Sequence, residues 1–128
     1  MPHIIVEATS LLAMTLPFRS TMLGVHQQMA NLGYAKLNDF KSRLIVIEQS
    51  VVGEEERQGE FVAARLILTN PRPTEMQYEM ATVLHNAFRN AIELRSPDFW
   101  WQCCVFIENI ERRNYLKTDS AALVSDKM

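Results

Sequence analysis

Between Pro17 and Gly33 the apolar residues Phe18, Met22, Val25, Met29 and Leu32 recur at spacings of four, three, four and three, with β-branched runs on either side. That rhythm is one face of an amphipathic helix, and it restricts the chain to folds in which this face is buried against something else. Pro17 fits the first turn, and Gly33 stands just past the last one. Upstream, residues 2–8 (PHIIVEA) are suited to a strand with at least one buried face. Pro2 is tolerable at the first position of a strand because it has no amide hydrogen to give to a ladder. Downstream, a second strand is expected over 43–52, carrying Leu44, Ile45, Val46 and Ile47. Two strands linked through a helix are parallel, since only a crossover of that length returns the chain to the same sheet end.

The same order then recurs. Residues 60–69 (EFVAARLILT) are strand-like, and Asn70-Pro71-Arg72-Pro73 forms a turn. Thr74 with Gln77 predicts a capping box opening a helix whose apolar face runs from Met76 through Met80, Leu84 and Phe88 to Ile92. Ser96-Pro97-Asp98 ends it, a fourth strand is expected over 102–110, and a more polar tail follows from Glu111. Residues 53–59 (GEEERQG) between the halves are expected to be the solvated tip of a hairpin joining the units antiparallel. The fold class is therefore α+β: duplicated β-α-β units, about 2–52 and 60–110, forming a four-stranded mixed sheet with two helices on one face. All of it is expected within a single domain spanning 1–128. Strands as apolar as LIVI leave the opposite sheet face partly hydrophobic, and association with further subunits is the economical way to cover it.

Hydrophobic residues make up 48% of the chain and charged ones 22%, as in proteins that fold. A net charge of −2 supplies no general attraction to nucleic acid or an anionic membrane, so neither is expected as a partner and anion recognition has to be local. The apolar runs are much shorter than the ~20 residues of a membrane helix, and no signal peptide is apparent, which points to the cytoplasm. Cys103 and Cys104 are adjacent, so on a strand their thiols diverge, and they lack metal or redox spacing. No nucleophile elbow, zinc-binding helix pair or phosphate loop is present, and a site free of metal and cofactor is expected.

The opening PHIIVE, the doubled β-α-β order, KSR (Lys41 to Arg43) and NPRPTEMQ (Asn70 to Gln77) resemble the tautomerase superfamily, specifically its 5-carboxymethyl-2-hydroxymuconate isomerase branch. The resemblance spans Pro2 to about Lys117. It implies a cofactor-independent keto-enol isomerase of an unsaturated 2-hydroxy carboxylic acid, part of aromatic-compound breakdown, with Pro2 as general acid and base. It further implies a homotrimer with active sites near subunit boundaries, and a small-molecule carboxylate substrate held by basic residues at Lys41, Arg43 and Arg72. Lys41 departs from the family pattern, which carries arginine there. Lysine keeps the charge and loses the planar, two-pronged donor geometry that suits a carboxylate.

The chemistry fits those residue types. A free terminal amine starts near a pKa of roughly 8, and burial or neighbouring positive charge lowers it toward the working pH. Ile4, Phe40, Phe99, Trp100, Trp101 and Phe106 are available to line such a pocket. Lys41 and Arg43 share a face if extended, and Arg72 sits in a turn after a strand, where cations can stabilise a dienolate. While Met1 is attached, however, the Pro2 nitrogen is an amide and no base. Two further readings therefore stand beside the first: a non-catalytic trimeric relative with Pro2 blocked, and a hydratase or dehalogenase using a carboxylate such as Glu108 to activate water. His3 flanks the site or packs structurally, while His26 and His85 fall on the helices.

Overall fold

The computed structural model describes residues 2–54 and 59–121. Four strands, β1 (His3–Thr9), β2 (Lys41–Ile47), β3 (Glu60–Leu68) and β4 (Trp101–Asn109), form one sheet in the order β2-β1-β3-β4. The outer pairs β1/β2 and β3/β4 are parallel, and the central pair β1/β3 is antiparallel. The helices are α1 (Ser10–Thr15), α2 (Phe18–Asn31) and α3 (Thr74–Arg95), with 3-10 turns at Leu37–Asp39 and Arg112–Asn114. Two β-α-β units thus meet back to back in a mixed sheet, as the duplicated pattern requires. No helix among the described residues is long and apolar enough to cross a membrane.

The expected hairpin between the halves does not form. β2 and β3 are consecutive in sequence, but β1 lies between them, so the two do not pair with each other. The central place suits β1: Ile4, Val6 and Ala8 are all 0% exposed beneath the helices, and its backbone is paired on both edges. β2 stops at Ile47 and does not reach Val52, while residues 55–58 of the GEEERQG segment lie outside the described residues. At the base of that segment a Cβ on Gly59 would sit 2.8 Å from Val52, so the chain closes there only with glycine. α1 is a further departure, since six residues are too few to declare a period. It starts where the Glu60 carboxylate accepts from Thr9 Oγ1 (2.7 Å) and from the Leu11 amide (3.1 Å), an N-terminal cap supplied by the other half of the chain.

Alternation along the strands divides the sheet into two faces. Ile4, Val6, Ala8, Val62, Ala64 and Leu66 point to the helices, where Met22, Val25 and Met29 of α2 and Met80, Leu84, Phe88 and Ile92 of α3 close the core. α2 ends in a Schellman motif: Tyr34 N–H donates to Met29 O and Gly33 N–H to Ala30 O, with Gly33 at φ 84°. The capping box expected at α3 is absent. Pro73 is the cap residue and no side chain bonds to it; Gln77 turns instead to the preceding loop and donates to Arg72 O at 2.8 Å. Ser96, in the left-handed region at φ 45°, ends α3 where the sequence placed its stop.

The other sheet face carries Lys41, Arg43 and Ile45 from β2, His3, Ile5 and Glu7 from β1, Arg65 from β3, and Cys104, Phe106 and Glu108 from β4. No helix among the described residues covers it, and Ile45 (48%) and Phe106 (54%) remain substantially exposed. Cys103 faces the helices while Cys104 faces out, as two neighbours on a strand must.

Candidate active site

Pro2 is buried immediately before β1, and its carbonyl accepts the backbone N–H of Lys41 at 3.2 Å. This bond continues the parallel β1/β2 ladder, in which His3 pairs with Lys41 and Ile5 with Arg43. The antiparallel partner supplies the rest: His3 also pairs with Ile67, so β3 finishes at the Pro2 end and delivers the 70–73 turn there. Register thus sets Pro2 beside Lys41, with Arg43 two residues further along β2, at the end of the sheet where the turn carrying Arg72 leaves β3.

Arg72 is held by backbone. Its guanidinium donates to Asn70 O and to Tyr34 O, both at 3.2 Å, and burial lowers its pKa from the ordinary arginine value. Behind it, Gln77 grips the Arg72 carbonyl and in turn accepts from Asn109 Nδ2 at 3.1 Å. The Tyr34 hydroxyl donates to Glu79, tying the loop after α2 to α3. The Lys41 ammonium donates to Asn38 O at 2.9 Å. Among the described residues none of Lys41, Arg43 and Arg72 forms an ion pair with a carboxylate. Three cations that form no ion pair among the described residues favour an anionic ligand at this end of the sheet, in a chain that is negative overall.

The histidines register that field. Burial, followed by Arg43 and Lys41, pushes the His3 pKa below its usual value, and its Nε2 lies 3.5 Å from the Tyr115 hydroxyl with the rings edge to face. His26 is lowered by burial and then by Lys41; its ring stacks on Phe40 at 5.4 Å between centroids, and Nε2 lies 2.6 Å from Ser42 Oγ. Beside them a cleft of about 610 Å³ is bordered by Leu23, His26, Leu37, Phe40 and Lys41, with Gln27 and Asn38 at its polar rim.

Other expected participants lie elsewhere. Ile4 belongs to the helix-side core. Phe99, Trp100 and Trp101 precede or begin β4 at the opposite end of the sheet, and Phe106 is on the open face, so of the aromatic candidates only Phe40 adjoins Pro2. Glu108 receives both Arg65 donors, at 2.8 and 2.9 Å, which holds its carboxyl below the usual range and occupies the oxygens that a water-activating base needs. His85 borders a separate cavity of about 440 Å³ beside Trp101 and Cys104, at that far end. Among the described residues no cluster of His, Cys, Asp or Glu is placed to hold a metal ion. Sequence reasoning missed Tyr115, because a polar tail gives no periodicity, and the Tyr34–Arg72 contact, because it joins a loop after α2 to a turn after β3.

A doubled β-α-β unit closing one four-stranded mixed sheet is a fold already seen in solved proteins. The fold agrees: a 5-carboxymethyl-2-hydroxymuconate isomerase from Deinococcus radiodurans R1 superposes with a TM-score of 0.81 at 14% identity, covering 92% of this chain and 89% of its own. A 5-carboxymethyl-2-hydroxymuconate delta-isomerase does so with 0.79 at 11% identity, covering 98% and 93%. A fused 4-OT described as a symmetric trimer reaches 0.66 at 13% identity, covering 91% and 93%. The sequence model of the 5-carboxymethyl-2-hydroxymuconate isomerase family matches residues 2–118, and the chain belongs to that family. No curated protein matches the sequence.

Proposed function

We propose that the protein is a cofactor-independent keto-enol tautomerase of an unsaturated 2-hydroxy carboxylic acid, working as a homotrimer in which Pro2, after removal of Met1, is the acid and base. The observation that carries this reading is the convergence of Pro2, Lys41, Arg43 and the Arg72 turn on one sheet end, without carboxylate partners among the described residues. Membership of an isomerase family and a trimeric fold neighbour support it.

In the reaction the neutral Pro2 amine takes the enol O–H proton, the electron pair moves through the conjugated system, and the ammonium so formed returns the proton to carbon. Lys41, Arg43 and Arg72 hold the substrate carboxylate and stabilise the charge on the dienolate oxygen. The same cations, with burial, disfavour a protonated Pro2 and keep it a base near neutrality. Ultraviolet assay of 2-hydroxymuconate and phenylenolpyruvate ketonisation tests the proposal. Pro2→Ala should lose about 10²- to 10⁴-fold in kcat/KM, the usual contribution of a positioned acid-base group. Arg72→Ala should fall by about 10²-fold. Parent-like rates in both variants, or retention of Met1 in chain purified from its natural host, would overturn it.

A further inference from the structure

The cleft beside Lys41 is better suited to one kind of substrate arm than to another. Its border carries exposed apolar side chains: Leu23 is 54% and Leu37 52% exposed, while Phe40 is buried at 5% with the His26 ring stacked on it. Burial and Lys41 keep His26 below its ordinary pKa, so near neutrality its ring is uncharged. Lys41 is then the one cation among the bordering residues, and its backbone N–H is bonded to Pro2. A carboxylate drawn to Lys41 sits at the Pro2 end. Anything continuing past it meets Leu23, Leu37 and the Phe40–His26 stack, with the Gln27 and Asn38 amides and the neutral His26 ring for polar contact. A second carboxylate there would lose water and find no charge to replace it. A flat apolar ring would instead cover hydrophobic surface that otherwise faces solvent. The volume, about 610 Å³, lies within the range of small-molecule sites.

We infer that this cleft is a subsite for an uncharged, ring-sized apolar arm, so that the protein prefers an aryl-substituted 2-hydroxy-enoic acid with one carboxylate over a dicarboxylate. The inference rests on the tautomerase reading and narrows its substrate class. It also gives Lys41 a defined part: a single point charge marks where the lone carboxylate stops, and a two-pronged arginine is not needed beyond it.

Steady-state kinetics on phenylenolpyruvate and 2-hydroxymuconate, with three variants, decide the matter. The parent should favour the phenyl compound by about tenfold or more in kcat/KM, the scale of one buried apolar group. Leu37→Glu should raise KM for phenylenolpyruvate about tenfold and leave kcat within about threefold, because the arm does not react. Leu23→Arg, on an exposed helix position that tolerates a long side chain, should narrow or reverse the preference by giving a distal carboxylate its partner. Amide shifts on titrating cinnamate into the parent should concentrate at Leu23, Leu37 and Phe40. Preference for 2-hydroxymuconate in the parent, equal effects of the cleft variants on both substrates, a change in oligomeric mass in place of KM, or shifts confined elsewhere would each overturn the inference. Pro2→Ala separates the two levels: if it abolishes turnover while the cleft variants are silent, only the subsite fails. If it is parent-like, the tautomerase reading fails.

Discussion

Lys41 joins two histidines in one electrostatic unit. Its charge disfavours imidazolium at His3, where Arg43 and burial act in the same direction, and at His26, where burial is the larger cause. Both groups are therefore neutral in the folded protein at a pH where the unfolded chain begins to protonate, and the linkage has a definite sign. Above the ordinary histidine value of about 6.5 both states are neutral and the histidines contribute nothing to pH dependence. As pH falls through that value the unfolded chain takes up protons first, so stability declines, and it goes on declining until the folded histidines also titrate. Urea midpoints should drop between pH 7.5 and pH 5, and His26→Gln should flatten that drop. An unchanged slope in the variant would show that acid sensitivity comes from other groups. Function should follow a related logic, since burial together with the same cations is assigned to keep the Pro2 amine a base.

At the level of elements, glycine separates what helix propensity governs from what backbone sign governs. Gly33 holds the αL position of the α2 Schellman motif at φ 84°, whereas Gly24 lies inside α2 with open space around the place of its missing Cβ. Gly33→Ala should cost about 1 kcal/mol or more through left-handed strain. Gly24→Ala should add about 0.5–1 kcal/mol by reducing unfolded-state entropy. Thermal or urea unfolding of the two variants checks the pair, and like signs would refute the argument. Gly33 also shows why α2 was legible in the sequence: a spaced apolar face and a stop signal are local facts. α3 was legible for the same reason, although its start misled, because Thr74 and Gln77 have capping-box spacing while Gln77 finds a better partner in Arg72 O. The hairpin was misread because strand order is not local. Nothing in GEEERQG states that β1 would lie between β2 and β3; that order rests on backbone pairing between distant segments. The candidate site divides in the same way: Pro2, Lys41, Arg43 and Arg72 were visible through resemblance, while Tyr34, Gln77 and Tyr115 depend on contacts between distant segments.

For the whole molecule the open sheet face sets the remaining demand. It presents Ile45 and Phe106 to solvent beside Ile5 and the Arg65–Glu108 pair, with no helix of the described residues above it. Exposed apolar side chains on both edge strands, with a charged pair beside them, suit an interface between copies: the hydrophobic part excludes water and the paired charges fix orientation. The proposed trimer would place this face inward and complete each Pro2 site at a subunit boundary. A carboxylate introduced at its apolar positions would be desolvated without a partner on assembly, yet would remain hydrated in an isolated chain. Ile45→Glu and Phe106→Asp should therefore dissociate the assembly to the 14.7 kDa chain with little loss of far-ultraviolet dichroism. Sedimentation velocity reads the mass directly, and the ketonisation assay should lose activity in step with it if a neighbouring copy completes the site. Variants that dissociate and keep full activity would mean that each subunit carries its site alone. Variants that remain assembled would place the interface on another surface and leave Phe106 as exposed as it is in the single chain.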